Sequence, residues 1–144
     1  MAGPQFVTPP GVTLSRPKRR FTLEQANKTL PLVSRIVGDI VKAHEVATSL
    51  QAKIEASSQT NQDQQAETDL ERKLDRLQNL VDELSEVGCE LKDYQTGLVD
   101  FVGKHQGRDI YLCWKLGEGK IAYWHEMQTG FAGRQPVSVL DERE

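Results

Sequence analysis

Asp109-Ile-Tyr-Leu-Cys-Trp-Lys-Leu-Gly-Glu-Gly-Lys-Ile-Ala-Tyr-Trp-His-Glu-Met127 is the stretch on which the fold turns. Large apolar side chains recur at every second position from Ile110 to Leu116, the period of a strand with one buried face. Gly117-Glu-Gly-Lys120 interrupts the run, and Glu118-Gly119 as a two-residue turn predicts a hairpin. That register sets Leu116 opposite Ile121, Trp114 opposite Tyr123, Leu112 opposite His125 and Ile110 opposite Met127. These side chains make one almost wholly apolar face, expected to pack on the rest of the protein. The second face pairs Lys115 with Ala122, Cys113 with Trp124 and Tyr111 with Glu126. It is half apolar, and residues 130–139 are its expected cover.

Upstream, residues 90–94 and 98–101 read as short strands, and the polar residues 103–108 as a loop leading into the hairpin. Before Gly88 the period changes. Val33, Ile36, Ile40, Ala43, Ala47, Leu50 and Ile54 are spaced alternately by three and four, which is a heptad seam. Leu70, Leu74, Leu77, Val81 and Leu84 make a second seam, and Gly88 stands where a left-handed helix cap is wanted. The polar residues 57–65 between them read as a turn. The first helix opens at Phe21-Thr-Leu-Glu-Gln-Ala26, where Thr22 and Gln25 predict a capping box and Phe21 a staple onto Ala26. Pro31 either kinks that helix or opens a second one.

The predicted architecture is α+β: a long antiparallel, coiled-coil-like helical hairpin over about residues 22–87, then a small antiparallel β-sheet over about residues 89–140. Together they form one domain, residues 21–144, preceded by a disordered Pro-rich tail, residues 1–20. Two helices alone cannot cover both seams and the flanking Val37, Val41, Leu80 and Val87, so either the sheet or a second copy must complete the core. Self-association as a dimer is therefore expected through Ile36, Ile40, Ala43, Ala47, Leu50, Leu74, Leu77 and Val81.

Composition narrows the function classes. The chain of 144 residues carries 18 Lys and Arg against 21 Asp and Glu, a net charge of −3, with a mean hydropathy of −0.53. An acidic chain without a basic stripe is not expected to bind nucleic acid, and the short basic run 16–20 reads as a solvated junction. No apolar run approaches the roughly 20 residues of a membrane span, so no membrane association is expected. Cys89 and Cys113 form no paired motif, which makes a cytoplasmic protein with reduced thiols the default.

Phe-Thr-Leu-Glu-Gln-Ala-Asn (21–27), Gly-Leu-Val-Asp-Phe (97–101), Tyr-Leu-Cys-Trp-Lys-Leu-Gly-Glu (111–118), Ala-Tyr-Trp-His-Glu (122–126) and Gly-Phe-Ala-Gly-Arg-Gln-Pro (130–136) together resemble a bacterial family of small proteins, domain-of-unknown-function family 2203. The resemblance spans roughly residues 21–137. It implies a bacterial cytosolic protein and carries no activity, substrate or cofactor.

Within those motifs the candidate polar cluster is Asp100, Glu118, His125 and Arg134. The register places His125 among apolar residues beside Trp114 and Tyr123, where an imidazole is a bonded core residue, a base or a metal ligand. Asp100, in an otherwise apolar strand, needs a partner, and either His125 or Arg134 would serve. Cys113 reads as a small packed residue with no His on its face, and His44 and His105 as lacking a local ligand partner. No catalytic spacing stands out, so no catalytic residue is assigned. The leading reading is a non-enzymatic, self-associating interaction module. Its rival is a protein that binds a divalent metal or a small ligand through Asp100, His125 and Arg134 with Glu118 nearby, a metal being held by His125 and Asp100, and that is hydrolytic in its strongest form.

Overall fold

A computed structural model describes Pro9, Val12, residues 19–57 and residues 61–140, with residues 61–63 described by backbone alone. The expected tail therefore lies mostly outside the described residues. Its described parts are engaged: Val12 is buried in the core, and Arg20 holds Asp109 through two bonds of 2.9 Å.

Helix α1 runs Leu23–Ala56. Its start is the expected capping box, with the Gln25 amide donating to Thr22 Oγ1 and the Thr22 amide donating to Gln25 Oε1, each at 3.0 Å. Phe21, just before the cap, is buried edge-on against Phe101 at 5.2 Å. Its amide donates to Val102 O, which ties the helix entrance to the sheet. Pro31 neither breaks the helix nor begins another; it lies inside one continuous α1. Pro31 is exposed there, and the lost bond to the Asn27 carbonyl is outweighed by the seam that α1 buries on its other face.

Helix α2 runs Asn61–Val87, so it begins within the stretch expected to be a turn. Polar Gln and Asn are compatible with an exposed helix end, and composition alone cannot distinguish that end from a loop. Gly88 ends α2 with φ +110°. The two helices pack along their seams. Ile36, Ile40, Ala43, Ala47, Leu77 and Val81, expected at a self-association surface, are buried within the single chain, while Leu50 and Leu74 are half-buried.

The sheet is an antiparallel meander of five strands in sequence order: β1 Glu90–Asp93, β2 Leu98–His105, β3 Arg108–Lys115, β4 Tyr123–Glu126 and β5 Gln135–Pro136. The turn from β1 to β2 lies against α1. Gly97 has φ +76°, and a Cβ there would come within 2.8 Å of Val37 Cγ1, so only glycine fits the approach. Residues 103–108 are not a loop. β2 and β3 pair out to His105–Arg108, and Gln106 and Gly107, both at positive φ, form a tight turn whose twist suits the hairpin.

The β3–β4 register differs from the expected one by a single residue. Ile110 pairs with Glu126, Tyr111 with His125, Leu112 with Trp124 and Cys113 with Tyr123. Because side chains alternate, that slip moves every β4 side chain to the opposite face. The connection is longer than a two-residue turn, and it is pinned by two local bonds and one tertiary bond. Trp114 Nε1 donates to Gly119 O at 2.9 Å, the Lys115 amide to Glu118 Oε1 at 2.8 Å, and the Ile121 amide to Asn27 Oδ1 of α1 at 2.8 Å. The helix-facing side thus holds Leu91, Val99, Phe101, Ile110, Leu112, Trp114 and Trp124, all buried.

Candidate functional site

The opposite face of the sheet is where the chain concentrates buried polarity. Asp100 on β2 pairs with Cys113 on β3, and His125 stands on β4 opposite Tyr111, so these three side chains share one face. His125 and Asp100 meet over β3. His125 Nε2 lies 3.1 Å from both Asp100 carboxylate oxygens, and His125 and Asp100 are each only 2% exposed. The expectation that His125 sits among the apolar core residues is corrected by the register: it lies on the face away from the helices. The expectation that Cys113 shares its face with no His fails for the same reason.

Cys113 is fully buried, and its sulfur, an Asp100 oxygen and a His125 nitrogen lie within 4.8 Å of one another. On one flank the Tyr111 ring stands 5.3 Å from the imidazole, and its hydroxyl bonds Glu90 Oε2 at 3.2 Å. On the other flank Arg134 donates from Nε to Cys113 Sγ at 3.3 Å. The same guanidinium grips Glu118 in a two-pronged pair of 2.7 and 2.8 Å and stacks over Tyr123 at 4.4 Å. Of the partners open to Asp100, the structure uses His125. Arg134 is taken by Glu118, and Cys113 joins the two pairs.

The protons of the site are largely determined by geometry. His125 Nδ1 lies 2.7 Å from the Glu126 carbonyl oxygen. A carbonyl only accepts, so Nδ1 carries a hydrogen and donates it. Nε2 then confronts two anionic oxygens, an arrangement that requires a positive species between them: a proton or a metal cation. Burial alone draws the His125 pKa down, but the Asp100 hydrogen bond and charge, with the Glu126 carbonyl, outweigh it and leave the pKa raised. Burial, aided by the Asp100 charge and opposed by Arg134, pushes the Cys113 thiol up to about 12. A thiol so placed is no nucleophile near neutral pH. Glu118 is drawn up by burial, yet its bonds from Arg134 and the Lys115 amide hold it below its ordinary value.

The other histidines stay apart from this cluster. His44 lies 5.5 Å from the Tyr94 ring, and His105, expected in a loop, is buried in β2 beside Trp124. The residue that sequence reasoning missed is Cys113, and a signal for it existed. Trp114 and Trp124 can both face the core only if β3 and β4 pair with an even register sum, and that pairing puts Cys113 beside His125.

A model of the family described as "Uncharacterized conserved protein (DUF2203)" matches residues 19–137. Comparison with curated proteins and with solved structures gives no significant match. Among the described residues no helix is long and apolar enough to cross a membrane. The chain belongs to the DUF2203 family.

Proposed function

We propose that this member of the DUF2203 family binds a divalent transition-metal ion of the zinc class through Asp100, Cys113 and His125. One observation carries the reading. His125 directs Nε2 at the Asp100 carboxylate while Nδ1 donates to a backbone carbonyl, which is how metal-ligating histidines are oriented. The donor set of one nitrogen, one sulfur and one carboxylate suits zinc and excludes magnesium and calcium, which take oxygen ligands.

Size and charge agree with this. With metal–nitrogen and metal–oxygen bonds of about 2.0 Å, the edge of a tetrahedron is roughly 3.3 Å, close to the observed 3.1 Å between Nε2 and the carboxylate oxygens. Asp100 and a Cys113 thiolate together neutralise a divalent ion, and Arg134 is already neutralised by Glu118. A buried site with no net charge avoids most of the cost of desolvating an ion. Binding releases two protons to solvent, the Cys113 thiol proton and the one between His125 Nε2 and Asp100, because the ion takes the lone pairs that hold them. The reading is one of binding. Hydrolysis would need a fourth position open to water, whereas His125 and Asp100 are 2% exposed.

Elemental analysis of protein purified without a histidine tag tests this: about one zinc per chain is expected, lost in Cys113→Ser and in His125→Ala. Cobalt substitution should add a sulfur-to-metal charge-transfer band that Cys113→Ser abolishes while far-ultraviolet circular dichroism persists. A wild-type chain that takes up neither ion overturns the reading and leaves Asp100–His125 as an ion pair within the sheet.

Self-association is a second reading, favoured by one observation at the far end of the hairpin. There Leu70 and Leu74 of α2 stay half-buried and border an open groove of about 540 Å³ that Ala47 and Ala52 of α1 and Pro9 of the N-terminal segment also line.

A further inference from the structure

We propose that residues 130–134 form a lid over the Asp100–Cys113–His125 site, and that the Arg134–Glu118 pair is the latch that gates exchange of the ion. The inference rests on the metal-binding reading for its ligand, but the lid itself is built from separate observations. The short 3-10 turn Phe131–Gly133 buries no residue. Against that loosely held backbone stands one inward side chain: Arg134, 12% exposed, touching Cys113 at both its sulfur and its carbonyl oxygen. A segment held by few apolar contacts and one polar anchor belongs to the low-stability end of a fold and opens without unfolding the rest.

The segment also has a hinge and a fixed point. Gly130, at φ +64° and without a Cβ, can rotate there at low cost, and nothing packs within 4 Å of where a Cβ would stand. The fixed point is β5, which pairs with β4 over Tyr123–Pro136 and Trp124–Gln135 and is followed by the Val137 amide donating to Ala122 O at 2.9 Å and by Val137 and Leu140 packed against the core. Glu118, the other half of the latch, is anchored independently, because Oε1 also accepts the Lys115 amide at the end of β3. The carboxylate therefore stays with the sheet when the lid lifts. Only the arginine moves. Lifting it exposes the Cys113 sulfur first, the ligand that an incoming ion must deprotonate.

Two measurements test the latch, and only the second requires the metal. In metal-free protein, iodoacetamide labelling of Cys113 is followed against Cys89, which is 1% exposed elsewhere in the core and serves as an internal standard for general unfolding. Arg134→Gln and Glu118→Gln should each raise Cys113 labelling by at least about tenfold while leaving Cys89 unchanged. Removing the Arg134 charge disfavours the thiolate, whereas removing Glu118 frees that charge to favour it, so acceleration reports access where Arg134→Gln shows it as well. Gly133→Ala is the variant that touches no charge. A Cβ there would collide with Thr129 and force the turn apart, so it should accelerate labelling as well.

In zinc-loaded protein, the same variants should release the ion to a chelator at least about tenfold faster than wild type. Labelling and release that both stay at wild-type rates overturn the lid even if zinc binds. Cys113 and Cys89 accelerating together also overturn it, since the opening is then global. A wild-type chain that loads no zinc sinks the metal-binding reading and, with it, the gating of an ion, while the labelling experiment still judges the lid.

Discussion

At the scale of single residues, the site shows how few groups are needed to constrain a proton. One backbone carbonyl fixes the hydrogen on His125 Nδ1, and from that choice the character of Nε2 follows. Glu118 shows the same economy at a partly exposed position. Its pKa is lowered in the folded chain despite burial, because Arg134 and the Lys115 amide bond the charged form. A depressed carboxyl contributes stability that is complete above its unfolded value and is lost as pH falls through the folded one. The advantage of wild type over Glu118→Gln in urea unfolding should therefore be full above about pH 5 and shrink steadily as pH falls below about 4.5. With the side chain 24% exposed, an advantage on the order of 1 kcal/mol is expected after allowance for solvent screening. An advantage that does not change between pH 6 and pH 3 (about three decades of proton activity) would show that Arg134 does not hold Glu118 in its charged form.

At the scale of elements, local signals were legible and non-local ones only in part. The capping box at Thr22, the glycine end of α2 and both heptad seams depend on residues within a turn or two of one another, and all stand where the sequence puts them. The β3–β4 register is pinned by Asn27 accepting the Ile121 amide across 94 residues, and its mark in the sequence is the parity that puts both Trp114 and Trp124 on the core face. The simplest two-residue turn overrides that parity by one residue and sets His125 on the wrong face, so the Asp100–His125 contact is legible from the need of a buried Asp for a partner, and Cys113 only from the tryptophans. The β2–β3 turn was missed for a different reason. Gln106 sits at φ +53°, where Asn, Asp or Gly is usual, so the turn lacks its common sequence mark. Gln106→Asn relieves that backbone conformation without altering the register. It should raise the unfolding free energy by about 0.5 kcal/mol in urea titration. A loss of stability instead would mean that the Gln106 side chain contributes more than its backbone costs.

At the scale of the whole molecule, length decides what is covered. Helix α1 has 34 residues and spans about 51 Å, while the longest strands have eight and span about 26 Å. The sheet can therefore close only the base of the hairpin. Burial follows that division: Val33, Ile36, Ile40, Leu80 and Leu84 are nearly inaccessible, whereas Leu50, Ile54, Leu70 and Leu74 toward the tip are half-buried. The self-association surface inferred from sequence thus contracts to Leu50 and Leu74 and their neighbours, because the remaining seam is already filled by the chain itself. A second copy of the same tip is the occupant we propose for the groove there. It offers matching apolar side chains, and small Ala47 and Ala52 permit close approach of helices. Sedimentation velocity at rising concentration should show a dimer, and Leu74→Lys should shift it to monomer while thermal unfolding of the base changes little. Because Leu74 is only half-buried in the single chain, the substitution should cost the isolated fold about 1 kcal/mol or less. A wild-type chain that sediments as a monomer at every concentration would leave the tip uncovered and remove the dimer. A dimer untouched by Leu74→Lys would place the contact elsewhere, with exposed Leu32 and Val46 on α1 the next surface to alter.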